Sequence, residues 1–173
     1  IDPYSPLPEK VNSVLATEVA AYRIFNKCFV QITDQSELLA LAEGISHKGA
    51  FYPVSQHIQS SVDLLSRREN PDYRNSIKEA ISAVEAMGKI ITNQPNATLG
   101  DVLKTLESKH NLHGALKNGY LSLYGYTSDA NGIRHALMEE SNLTQADAKY
   151  FLLSCTSFVN YLKTFVTNSE RGK

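Results

Sequence analysis

The sequence predicts a mainly α-helical protein. A bundle of about five helices is expected over residues 55–168, behind an extension at 1–54 with short helices and a small β-hairpin, and ahead of a tail at 169–173. Three observations carry this. Asn70 to Ile91 joins helix start signals to one apolar stripe, Ile77, Ala80, Ile81, Val84, Met87 and Ile91, at steps of three and four. The stretch from Ala148 to Phe165 repeats that spacing with Phe151, Leu152, Cys155, Phe158, Val159 and Leu162. Only one stretch, VAAYRIFNKCFVQITD, is dense in aromatic and β-branched residues around a turn.

In chain order, the three prolines of IDPYSPLPEK predict an extended leader, ended by Pro8 at the start of a short helix carrying Val11, Val14 and Leu15. Asn26-Lys27 then reads as the turn of a hairpin, which must lie on the helices because two strands alone are marginal in water. Thr33 or Asp34 caps a helix through SELLALAEGI, with Gly44 or Gly49 at its end. The next helix follows Pro53, carries Ile58, Val62 and Leu65, and closes on Arg67 and Arg68, cations suited to the negative end of the dipole. On the central helix Asn70 is the expected cap, Pro71 sits where its missing N–H costs nothing, and Asp72 places charge at the positive end. Thr98 with Asp101 and Thr144 with Asp147 have the spacing of capping boxes, and Asn111 breaks the chain between two helices. Ser128, Asp129, Asn131 and Gly132 gather as turn chemistry before a short helix bearing Arg134 and His135. SERGK is expected to fray.

A length of 173 residues suits one compact unit, large enough to bury roughly two thirds of its unfolded surface. With 17 basic and 18 acidic residues, the whole molecule has no attraction for nucleic acid or an anionic membrane, so a polyanion would have to be held by a local patch. Cys28 and Cys155 form no CxxC pair, which points to reduced thiols and a cytoplasmic location. No apolar run approaches the roughly 18 residues of a membrane span, so no membrane partner is expected. The chain begins at Ile1 rather than Met, and we expect further chain upstream.

The polar side of the central helix offers Arg74, Asn75, Ser76, Lys78, Glu79, Ser82 and Glu85. Asn75, Glu79 and Ser82 form one line and Arg74, Lys78 and Glu85 a neighbouring one, so the plain reading is an exposed face of paired side chains. The functional reading makes it a wall of a site. Arg134 and His135, adjacent on a helix, diverge by about 100° and need a third group from elsewhere to share a ligand. Arg74, Glu79, Tyr124, Tyr126 or Asp129 could supply it, giving proton transfer with charge stabilisation as in a metal-independent ribonuclease. Alternatively Arg134 pairs with Glu79 or Glu85 and ties the short helix down. His110 and His113 have a ligand-like spacing but no further ligand beside them, so no metal is expected. His47 and His57 stand alone, and the cysteines read as small buried hydrophobes. The tyrosines of LYGYTS are either a stacking platform for bases or core residues with a locally bonded hydroxyl. No glycine-rich phosphate loop and no GxSxG elbow occurs, and no cofactor is implied.

Five stretches, in order and spacing, carry a resemblance: VNSVLATEVAAYRIFNKCFVQIT, PDYRNSIKEAISAVEAM, TLGDVLKTLE, LYGYTSDANGIRHALMEE and DAKYFLLSCTSFVNYL. The chain resembles the fourth N-terminal domain type of bacterial AbiJ-type abortive-infection proteins, similar in style to the helical HEPN domains (higher eukaryotes and prokaryotes nucleotide-binding). The resemblance implies a HEPN-like helical bundle in a phage-defence protein, with RNA or a nucleotide, a second copy of the chain, or an effector domain as partner. HEPN nucleases carry Arg, a polar residue and a later His. Arg134-His135 fits the first two places, but Met138, Glu139, Glu140 and Ser141 stand where the second His belongs, and Arg74-Asn75 is followed by Lys78, Glu79 and Ala80. The expected function is therefore a non-enzymatic sensor or regulatory module. Arg74, Asn75, Lys78, Glu79, Tyr124, Tyr126, Ser128 and Asp129 are the candidate binding residues. The alternative is a ribonuclease with Arg134 and His135 as catalytic groups.

Overall fold

The computed structural model describes residues 7–128 and 143–171. Over these the protein is mainly α, with seven helices and one two-stranded hairpin. Helix α1 (Leu7–Thr17) leads into the antiparallel strands β1 (Arg23–Phe25) and β2 (Cys28–Val30), followed by α2 (Gln35–Ile45) and a single 3₁₀ turn at Gly49–Phe51. Then come α3 (Tyr52–Leu65), α4 (Tyr73–Thr92), α5 (Leu99–His110), α6 (Gly114–Ser128) and α7 (Gln145–Arg171). Helix α7 thus runs into the stretch expected to fray, its backbone staying helical through Arg171.

The centre of the molecule is α4, packed against α3, α7 and α5. The predicted stripe from Ile77 to Met87 is buried, and so are Ser76, Ala83 and Gly88. A helix held on several sides must bury more than one stripe, so Ser76, expected on the polar face, lies instead in the α3–α4 seam. There Ser61 Oγ donates to the Ser76 carbonyl and Ser76 Oγ to the Ser61 carbonyl, each at 2.8 Å. Two small residues that satisfy each other let the helix backbones approach without leaving a buried polar group unpaired. Gly88 serves the α5 side: a Cβ there would lie 2.2 Å from Val102 Cγ1. On α7, Ala148, Phe151, Leu152, Cys155, Phe158, Val159 and Leu162 are buried as the spacing predicts.

Most caps follow the local chemistry. Asp34 accepts from the amides of Ser36 and Glu37, Thr98 and Asp101 form a capping box, and Thr144 and Asp147 exchange the same bonds. Asn93 and Asn111 end α4 and α5 in the left-handed conformation. Three expectations shift. Asn70 is left-handed at φ 51° and does not cap α4; Asp72 does, accepting from the Asn75 amide at 3.0 Å, because its own amide is drawn back to the Leu64 carbonyl. Gly44 does not end α2; it is buried within it, where a Cβ would meet Thr156 Cγ2 at 2.7 Å and Ile58 Cδ1 at 2.9 Å. Arg67 and Arg68 do not complete the last turn of α3, which closes at Ser66, where Ser66 Oγ donates to the Val62 carbonyl at 2.7 Å.

The hairpin forms as read, with Asn26 and Lys27 both at positive φ (43° and 70°), the signature of a tight two-residue turn. Val30 and Ile32 seat it on the core. Helix α1 buries no residue and is tied to β1 by Asn12, whose amide pairs with both the N–H and the carbonyl of Ile24, at 2.7 and 2.8 Å. Among the described residues no helix is long and apolar enough to cross a membrane.

Candidate functional site

The predicted polar wall is present but largely engaged in pairing. Asn75 donates its side-chain amide to Asp72 at 2.7 Å, and Glu79 holds His57 Nδ1 at 2.7 Å across the α3–α4 groove. His57 therefore does not stand alone. Burial pushes the Asp72 carboxyl up, but the two Asn75 hydrogen bonds and the charges of Arg67 and Arg74 outweigh it and hold the group below the usual carboxylate range. Lys78 is exposed. Tyr124 lies apart from this wall, half-buried in a small apolar pocket with Ile81, Val84, Leu99, Tyr120 and Cys155. Tyr120 stacks on Phe158 with ring centres 3.5 Å apart and donates its hydroxyl to the Ser154 carbonyl. Of the tyrosines in the LYGYTS stretch, Tyr124 thus packs in the core margin, beside Tyr120. Tyr126 and Ser128 fall in the last turn of α6. Asp129, Arg134 and His135 lie outside the described residues, and so does any pairing of Arg134 with Glu79 or Glu85.

The other histidines also have local work. His113 Nδ1 accepts the Ala115 amide at the start of α6, and His110 stacks against Phe165. His47, only 3% exposed, has its Nδ1 3.0 Å from Lys163 Nζ. Burial first, and the Lys163 charge second, lower its pKa to about 4, so the imidazole is neutral and takes the ammonium's hydrogen bond. Cys155 is buried and its thiol is pushed up to about 12 by that burial, an inert core group. Half-buried Cys28 lies 3.5 Å from Asp63 at the edge of the hairpin. Among the described residues no group of three or more His, Cys, Asp or Glu could hold a metal ion.

What does form a concave site is a different set of residues. Where α3 turns into α4, the chain reverses through Ser66–Asp72 and leaves Arg67 and Arg68 exposed on the corner. The hairpin faces that corner. Its period of two buries Val30 and turns Phe29 and Gln31 the other way, and the register that pairs Arg23 with Val30 sets Tyr22 opposite Gln31. Gln31 Nε2 donates to the Tyr22 hydroxyl at 2.8 Å. Tyr22 and Phe29 stay 45% and 59% exposed. Between these walls lies a cleft of about 530 Å³, bounded also by Leu65, Pro71, Tyr73 and, from the start of α7, Gln145. Gln145 Nε2 is buried there with no hydrogen-bond partner among the described residues. Two guanidinium groups and no carboxylate are among the described residues that line the cleft, although Asp72 nearby offsets part of the Arg67 charge. Guanidinium groups suit bidentate binding of phosphate or carboxylate, exposed rings suit stacking, and amides suit the edges of a planar polar ligand.

Sequence reading missed this site because its residues come from four separate segments. One signal was present: Arg67-Arg68 follows the last apolar residue of α3 rather than preceding it, which puts the pair on the connection. The chain matches no family model, no curated protein and no solved structure.

Proposed function

We propose that this chain is a helical recognition module that binds a nucleotide or RNA without cleaving it, the sensing or regulatory part of a bacterial abortive-infection protein of the type its sequence resembles. The observation that carries this reading is the cleft between hairpin and α3–α4 corner, with Arg67 and Arg68 on one wall and Tyr22 and Phe29 on the other. Cations supply affinity for phosphate and rings supply stacking that tolerates any base, the two ingredients of single-strand and nucleotide binding. A near-neutral chain carrying such a patch binds through the patch and not through its overall field.

The test is fluorescence anisotropy with short labelled RNAs and competing nucleotides, run in parallel with a gel assay for cleavage on the same metal-free protein. Binding that weakens with salt, falls in Arg67→Ala and Arg68→Ala, and leaves the RNA intact supports the proposal. Cleavage that disappears in Arg134→Ala and His135→Ala would replace it with a ribonuclease reading.

A further inference from the structure

We infer that the cleft takes a single nucleotide by a phosphomonoester group, belonging either to a free nucleoside monophosphate or to the phosphorylated end of a strand. The inference rests on the nucleotide-binding reading above and narrows it. Size is the first argument. A cleft of about 530 Å³ lies in the range that encloses one small ligand, whereas a groove for an internal stretch of strand tracks several nucleotides with cations along its length. Among the described residues that line the cleft the cations are two and adjacent, both on the corner after α3.

Charge is the second argument. A phosphomonoester carries between about 1.5 and 2 negative charges near neutral pH, and an internal phosphodiester carries one. Paired guanidinium groups complement the former better, with enough donors to engage its three terminal oxygens. The third argument is the placement of the rings. Extending the strand register by one pair sets Tyr22 opposite Gln31, and Gln31 Nε2 donates to the Tyr22 hydroxyl, so Phe29, two residues from Gln31, shares that face of the hairpin. Both rings line the cleft and stay 45% and 59% exposed, open to stacking by a base. A base stacked there lies beside the Gln31 amide, and its phosphate then reaches toward Arg67 and Arg68.

The deciding experiment titrates the purified chain by calorimetry with nucleoside monophosphates, the matching nucleosides and inorganic phosphate. A second arm competes one labelled RNA with the same sequence as a 5′-phosphorylated, a 3′-phosphorylated, a dephosphorylated and a circular molecule. We expect monophosphates and at least one end-phosphorylated RNA to bind about tenfold or more tighter than nucleosides, dephosphorylated RNA and the circle, a gap of at least one good charge-assisted contact. The winner between free nucleotide and strand end identifies the source. Arg67→Ala, Arg68→Ala and Phe29→Leu should each weaken binding with unchanged circular dichroism, while Lys104→Ala, exposed on α5 and outside the cleft, should leave it alone. A circular RNA that binds as well as the phosphorylated ends, and still loses affinity in Arg67→Ala, overturns the inference but keeps the recognition module. Inorganic phosphate binding as tightly as a monophosphate also overturns it, since the base and the rings of Tyr22 and Phe29 would then contribute nothing. No binding of any nucleotide or RNA removes both.

Discussion

Helices α4 and α7 on one side and helix α1 on the other are held in place by different physics. The two helices bury a continuous apolar set, with Ile77, Met87, Leu152 and Leu162 at or near zero exposure, while α1 buries no residue and hangs on one asparagine. Where attachment comes from area, each added side chain contributes and the assembly opens only as a whole; where it comes from a few directional bonds, the element can loosen alone. The cleft lies between the α3–α4 corner and the outer face of the hairpin, whose inner face is held by area through buried Val30.

Four measurements break or sharpen this contrast. Leu152→Ala, in the closing helix, should cost about 2–5 kcal/mol of global stability in denaturant titration, because the fully buried site cannot collapse around the lost atoms. A loss under about 1 kcal/mol would mean the core is looser than the burial implies.

The second concerns pH at the far end of α7. Unfolded, His47 takes a proton as pH falls through its ordinary 6.5; folded, it resists until about 4. The unfolded state therefore binds more protons in that window, so stability should be level above about pH 6.5 and fall by about 2–3 kcal/mol by pH 4. Asp72, Asp101 and Asp147 all have lowered pKa values, so their contributions fade only in stronger acid and do not fill this window. His47→Gln should flatten the profile between pH 6.5 and 5; an unchanged slope would assign it elsewhere.

The third probes the other regime. Asn12→Ala removes both bonds to Ile24 and should cost about 1–2 kcal/mol locally. Hydrogen exchange should speed up in α1 and β1 while α4 amides keep their protection. Uniform loss of protection would merge the two regions into one cooperative unit.

The smallest effect is a gain. Val19 ends α1 in the left-handed conformation at φ 53° while 88% exposed, and its neighbour Ala20 donates to the Leu15 carbonyl as in a Schellman cap. A β-branched residue there is strained, so Val19→Gly should raise the stability of α1 by about 1 kcal/mol, read as slower exchange in that helix alone.

The capping boxes, the Asn26-Lys27 turn and the register of α7 could be read from sequence because each rests on residues within four positions of one another. Ser76, Gly44 and the His47–Lys163 pair could not. Ser76 looks like a surface serine until α3 brings Ser61 beside it, Gly44 looks like a terminator until α7 crosses it, and the His47–Lys163 pair spans 116 residues. On the polar side of α4, Asn75 and Lys78 stay exposed while Ser76 does not, and Glu79 takes a partner from the preceding helix, His57.

By itself the sequence determined the helical class, the place of the hairpin, most helix caps and the apolar stripes, since all of these follow from local backbone preference and the 3.6-residue period. Tertiary structure alone decided which faces of α4 are covered, which histidine is held neutral, and that Tyr22, Phe29, Arg67, Arg68 and Gln145 border one cleft. The reason is range. Capping and periodicity act over one or two turns of chain, whereas burial, charge pairing and concavity depend on segments that only packing brings together.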